Sequence, residues 1–138
     1  MIAYLDSSVL LRIVLGQGNA LKEWQGIEQG IASALLEVEC LRTLDRLRLA
    51  QGLGDDEIAM RREVVFRLIE AMEVVEITRP VLARAAQPLP TSLGTLDAIH
   101  LATALLWREL TGADLAMATH DGALATAAKA SGLRVFGI

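Results

Sequence analysis

Four short segments of this chain carry carboxylates where a strand gives way to a helix or a helix begins. They are Ile2-Ala3-Tyr4-Leu5-Asp6-Ser7-Ser8, Ser33-Ala34-Leu35-Leu36-Glu37-Val38-Glu39, Thr95-Leu96-Asp97-Ala98-Ile99-His100 and Ala118-Thr119-His120-Asp121. Oxygen-only donors of this kind suit hard divalent cations, Mg²⁺ or Mn²⁺, with positions left open for substrate. Zinc is disfavoured, because the one cysteine (Cys40) and the two histidines (His100, His120) lie in no ligand spacing. A plainer role competes: Asp is a preferred helix N-cap, and acids in a first turn complement the helix dipole. Asp6, Asp97 and Asp121 all sit near helix starts, and Asp55 and Asp56 read as caps only. Convergence would tip the balance. Two carboxylates about 5 Å apart repel by roughly 3 kcal/mol at an effective dielectric of about 20, a large fraction of a domain stability of about 5–15 kcal/mol. Acids that meet therefore need a cation, a proton or a base.

The elements that would bring them together alternate in type. Ile2 to Leu5 reads as a first strand, with Ser7 or Ser8 capping a short helix that runs to about 15 and stops at Gly16 and Gly18. The stretch 20–29 is expected to hold a second short helix, and 31–34 a strand. A helix follows from 35 to about 50 and ends near Gly52 and Gly54. Asp55 or Asp56 caps the next, which runs to about 72. Val74-Val75-Glu76-Ile77 is β-branched and reads as the third strand. Pro80 suits a first helical turn, and Pro88 and Pro90 mark a loop. Thr95 opens a helix to about 110 that is apolar nearly all round and hence central. The stretch 115–119 is strand four, 122–130 a helix and 134–136 a last strand. Strands alternating with helices predict a parallel sheet covered on both faces, a three-layer α/β/α domain. In such sheets ligands bind beyond the carboxyl ends of the strands, where strand order reverses.

The bulk properties narrow the partners. At 138 residues the chain is a single domain, 1–138, with enough length to bury a core. A net charge of −4 gives no general attraction for nucleic acid, so a polyanion would need local basic patches or a bridging cation. One cysteine excludes an internal disulfide and fits a reducing, cytoplasmic setting. No apolar run approaches the roughly 20 residues of a membrane span, and the N-terminus lacks the basic stretch of a signal peptide. No repeat or linker is present.

Two acids compete on the second long helix. Glu37 and Glu39 lie about 200° apart on a helical wheel. Glu39 shares a stripe with Arg42 and Arg46, at i+3 and i+7, which would set an acid beside two guanidinium groups suited to RNA phosphates. Glu37 falls nearer the arc of Leu36, Cys40, Leu44 and Leu47. Spacing alone leaves the two open.

In order and spacing, the four segments together resemble the signatures of PIN domains, and most closely those of VapC-type ribonuclease toxins of bacterial toxin–antitoxin modules. The likeness spans almost the whole chain. It implies a PIN-like α/β/α fold and Mg²⁺- or Mn²⁺-dependent cleavage of RNA. Carried over by position, Asp6 resembles the family's first acid, Glu39 the second through Ser33-x-Leu35-x-x-x-Glu39, Asp97 the third and Asp121 the fourth. Asp6 and Asp97 would then be the principal metal ligands, with Ser7 and Thr119 as accessory polar groups. The resemblance further implies a homodimer, and an antitoxin segment that covers the acidic pocket.

Other functions are weighed against this one. His100 and His120 could form a metal-free acid–base pair, although a packed, hydrogen-bonded histidine is the simpler expectation for His100 on an apolar helix. Receiver domains and haloacid-dehalogenase-type phosphatases fit poorly: Lys129 lies within a helix, and Asp6-Ser7-Ser8 has a Ser where Asp-x-Asp is needed. A PIN-like module that binds RNA or protein without cutting is the main alternative. Trp24 and Trp107 read as core or interface. Leu47, Leu49, Ile58, Val64, Val65, Phe66, Leu68 and Ile69 supply more apolar surface than one small domain is expected to hide, which predicts a protein partner.

Overall fold

A computed structural model describes residues 1–138. In chain order the elements are β1 (Ile2–Leu5), α1 (Ser7–Val14), a single 3₁₀ turn (Trp24–Gly26), β2 (Gln29–Ser33), α2 (Leu35–Gln51), α3 (Asp55–Glu70), β3 (Glu73–Val75), α4 (Arg79–Ala85), α5 (Thr95–Thr111), β4 (Leu115–Ala118), α6 (Gly122–Ala130) and β5 (Arg134–Phe136). The five strands form one parallel sheet in the order β3-β2-β1-β4-β5. The chain winds outward from β1 in one direction and returns to β4 on its other side. Strand order therefore reverses between β1 and β4, where Leu5 pairs with Ala118, and the crevice beyond their carboxyl ends is the natural ligand position.

Side-chain alternation along β1 divides the core into two layers. Ala3 and Leu5 enter the cluster built by Val9, Leu10 and Val14 of α1, Leu36, Cys40 and Leu44 of α2, and Val65 of α3. Tyr4 points the other way, among Leu101, Ala104 and Leu105 of α5 and Leu124, Ala127 and Ala128 of α6. The expected α/β/α sandwich is observed. The continuous buried run from Ala98 to Leu105 makes α5 the central helix, as its composition predicts.

Several boundaries differ from expectation. Asp6, not Ser7 or Ser8, occupies the N-cap position of α1, and its side chain makes no capping bond. Gly54 precedes α3, so Asp55 and Asp56 lie in its first turn. The stretch 20–29 holds only the 3₁₀ turn, because Gly26 interrupts it and its apolar residues are too few to bury a helical face. The third strand begins at Glu73 and ends at Val75, where pairing with Ser33 stops. Of the apolar residues on α2 and α3, Val65 is buried, and Val64, Leu68 and Ile69 pack against the first cluster. Leu49 and Phe66 remain exposed, so the surplus apolar surface is smaller than expected. No helix is long and apolar enough to cross a membrane.

Candidate active site

Asp6 leaves the end of β1 and is 4% exposed. Both of its carboxyl oxygens accept hydroxyl bonds: Ser8 Oγ donates to Oδ1 at 2.6 Å and Thr119 Oγ1 to Oδ2 at 2.7 Å. Each hydroxyl also accepts a backbone N–H from the loop before α6, His120 N to Ser8 Oγ at 2.9 Å and Asp121 N to Thr119 Oγ1 at 3.0 Å. Two hydroxyls thus tie one carboxylate to two consecutive amides and lock the ends of β1 and β4 together. Burial, the dominant influence, raises the Asp6 pKa, while the bonds from Ser8 and Thr119 and the nearby His100 oppose that rise. Ser8, not Ser7, is the serine bonded to Asp6. Ser7 instead lines a cavity with Glu39, Arg42 and Arg46.

The loop is braced from the far side. Thr119 N donates to Phe136 O at 3.0 Å, and His120 Nδ1 lies 2.7 Å from Gly137 O. Gly137 has φ +104°, and a Cβ there would stand 2.4 Å from Thr119 O, so only glycine fits. Asp121 caps α6, its Oδ1 accepting the Leu124 N–H at 2.9 Å. The plain capping role therefore holds for Asp121 and leaves its second oxygen open.

Asp97 lies in the first turn of α5, half-buried, and caps nothing, since Gly94 holds the N-cap position. Its pKa is raised by burial first, then by the negative charge of Asp121, with smaller contributions of the same sign from Asp6 and Glu39 and an opposing one from His100. Asp6, Glu39 and Asp121 thus each lie within electrostatic reach of Asp97 at the carboxyl edge of the sheet. They stop short of a closed ligand set: no three His, Cys, Asp or Glu side chains approach closely enough to hold a metal ion.

Packing distinguishes the two acids on α2. Leu36, Cys40 and Leu44 face the core at i, i+4 and i+8, which leaves Glu37 exposed on the outer side and Glu39 at the rim. Glu39 Oε1 lies 2.5 Å from His100 Nε2, and His100 Nδ1 lies 2.6 Å from the Tyr4 hydroxyl. Tyr4 and His100 are buried, and Glu39 is 21% exposed. Burial above all drives the Tyr4 pKa well above its usual value, so the phenol keeps its proton. Cys40 behind Glu39 is likewise pushed up to about 12, by burial and then by Glu39 and Asp6, which makes it inert wall rather than thiolate. Arg42 and Arg46 line a cavity of about 380 Å³ with Ser7, Thr43, Glu39 and Leu96. Arg46 donates to Thr43 Oγ1 at 3.0 Å, and the ion pairs of the chain use Arg48, Arg61, Arg84 and Arg134 instead.

His100 is the packed, doubly bonded histidine that its apolar helix suggests, whereas its two partners were not foreseen. Tyr4 and Ser8 stand two residues either side of Asp6, and no local pattern announces that they join a polar network.

The PIN-domain family model matches residues 3–130. The chain belongs to the PIN-domain family. It is 32% identical over 136 residues to ribonuclease VapC46 of Mycobacterium tuberculosis, covering 96% of this chain and 94% of that one. Ribonuclease VapC47 of the same species is 29% identical over 121 residues, covering 86% of this chain and 83% of the relative. Among solved structures, FitAB bound to a DNA fragment superposes with a TM-score of 0.73 at 18% identity, covering 99% and 94% of the two chains. VapBC2 of Rickettsia felis, bound to a promoter DNA fragment, gives 0.68 at 9% identity, covering 98% and 97%. These PIN-fold neighbours match the five-stranded parallel sheet described above, and the sequence relatives are VapC-type.

Proposed function

We propose that this chain is a VapC-type ribonuclease toxin that hydrolyses RNA phosphodiester bonds with a divalent cation. The observation that carries the reading is Asp6, buried and clamped by Ser8 and Thr119 at the crevice where strand order reverses, with Asp97 electrostatically coupled to it. The two near-full-length relatives are both named ribonucleases. The donor chemistry fits Mg²⁺ or Mn²⁺: all-oxygen acids, two of them with proton affinities raised in a way that a cation would relieve. Asp6 and Asp97 would hold it, with Glu39 and Asp121 completing or orienting the shell. When bound, the ion would supply an acidified water and screen the charge of the scissile phosphate. The protein's own part is to orient Asp6 through two hydroxyls, to hold Glu39 through His100, and to bind flanking phosphates at Arg42 and Arg46.

The partners follow from the same reading. An antitoxin peptide would cover the acidic crevice, consistent with a structural neighbour described as a toxin–antitoxin complex. Exposed Leu49, Phe66, Leu82 and Leu110 offer apolar surface for self-association as a homodimer. Light scattering at micromolar concentration should give twice the chain mass, and a monomeric mass would remove that part.

One observation favours a second reading, an inert PIN-like binding module: the acids do not close into a ligand set. Titration with Mn²⁺ separates the two. The nuclease should show saturable binding and RNA cleavage that EDTA abolishes. An inert module should show neither, and cleavage that survives EDTA would point to the histidines.

A further inference from the structure

The polar chain Tyr4–His100–Glu39 has no role in the reading so far beyond holding an acid. It crosses an apolar layer. Tyr4 is buried among Leu101, Ala104 and Met117 and His100 is buried beside it, where a Phe and a Leu would carry no polar atoms to satisfy. Its members come from three elements, β1, α5 and α2, and the two bonds span 96 and 61 residues of sequence. It ends on one oxygen of one acid at the rim, leaving Glu39 Oε2 to the cavity that Glu39 lines. The ring planes of Tyr4 and His100 meet at 73° with centroids 5.8 Å apart, so the imidazole is also gripped edge-on by the phenol.

We propose that Tyr4 and His100 form a positioning relay: the Tyr4 hydroxyl donates to His100 Nδ1, which fixes the imidazole as its Nε2–H tautomer, and that N–H donates to Glu39 Oε1. The direction of both bonds follows from the acceptor at the end. A carboxylate oxygen 2.5 Å from Nε2 needs a hydrogen between them, and in a neutral imidazole that leaves Nδ1 as the acceptor for the phenol. A glutamate at a rim otherwise samples several rotamers. Held by an imidazole that is itself locked by a buried phenol, it presents Oε2 in one direction. The arrangement has the logic of a histidine oriented by a second group, with a carboxylate as the client. Tyr4 and His100 touch no substrate and act only through Glu39. The proposal rests on the nuclease reading for its effect on rate, but not for the bonds themselves.

The test uses the full chain labelled with ¹⁵N-histidine. Long-range ¹H–¹⁵N correlation at neutral pH reads the His100 tautomer, with His100→Gln identifying its resonances. The relay predicts Nε2–H with an accepting Nδ1 in the wild type, and a shifted Nδ1 resonance in Tyr4→Phe. In cleavage assays Tyr4→Phe should lower kcat by about 10–100-fold, the range for groups that orient a ligand, with KM changed by less than about threefold. His100→Gln, which keeps an N–H donor near the place of Nε2, should retain more kcat than His100→Leu, which keeps only volume. An Nδ1–H tautomer in the wild type, an unchanged kcat in Tyr4→Phe, or equal losses in the Gln and Leu variants would each overturn the relay. If Tyr4→Phe does not fold, the wild-type tautomer and the Gln–Leu pair still decide. If the wild type cuts no RNA with any metal, the nuclease reading falls while the tautomer measurement still decides the relay.

Discussion

Asp6 and Asp97 carry the same functional group at the same edge of the sheet, yet the protein treats them oppositely. Asp6 is almost wholly buried and receives a hydroxyl bond on each oxygen. Asp97 is half-buried, caps nothing, and after burial the strongest influence on it is repulsion from Asp121. The strand end gives its acid polar partners that offset only part of the effect of burial. The helix start holds an acid that the fold leaves unsettled. Such an uncompensated charge persists where something outside the chain completes it, which is the physical content of the proposal that a cation binds between them.

The contrast can be broken most forcefully at Asp97. Asp97→Asn should lower metal-dependent RNA cleavage by more than the roughly 100-fold upper end seen for orienting groups, while the circular dichroism of the fold is unchanged. Undiminished cleavage would end the assignment. The same variant should melt at a higher temperature at neutral pH. Because the folded-state pKa of Asp97 lies above its ordinary value, the native chain binds more protons than the unfolded one between those two values. Stability therefore falls as pH rises through that window, and the deficit persists above it. Asn removes the deficit, so the gain in Tm should vanish once the pH drops below the ordinary aspartate pKa.

At Asp6 the expected damage is structural as well. Thr119→Val preserves shape but leaves the part-buried Asp121 N–H without its acceptor and the buried Asp6 without one donor. Denaturant unfolding should show a loss of about 1–3 kcal/mol. Asp121 lies between the two cases, since it both caps α6 and repels Asp97. Asp121→Ala should cost about 0.5–2 kcal/mol of stability, whereas Asp121→Asn, an equally good cap, should cost almost none. Equal losses of cleavage in both would separate the site role from the capping role. The smallest effect is expected at the arginines. Replacing Arg42 or Arg46 by Gln should weaken RNA binding across sequences and reduce the slope of log affinity against log salt by about one each, with kcat retained.

The fold was legible because each strand-to-helix step carries its own local signal: apolar runs of four or five residues, a glycine such as Gly52 taking the left-handed φ of 63° that ends α2, and the mostly apolar α5. Helix starts were read less well. Asp6 and Gly54 occupy N-cap positions that the neighbouring Ser7, Ser8, Asp55 and Asp56 suggested for themselves, because all of these residues favour the same place. Of the candidate site, spacing alone leaves Glu37 and Glu39 open and the resemblance favours Glu39; packing places Glu39 beside His100 and leaves Glu37 exposed. Adjacency does not pick out the serine that bonds Asp6: helical geometry turns Ser8 back toward the strand end. Tyr4 and His100 carry no shared local pattern at all, being 96 residues apart.

That last distance has a consequence for synthesis. Thr119 reaches Asp6 across 113 residues, and β4 must slot in beside β1, which precedes it in the chain. A growing chain can form β1, β2 and the helices over them while still attached to the ribosome, at about 5–20 residues per second. It cannot clamp Asp6 until the segment after β4 has emerged. For the nuclease proposed above, the edge that would cut RNA is therefore among the later parts of this domain to assemble.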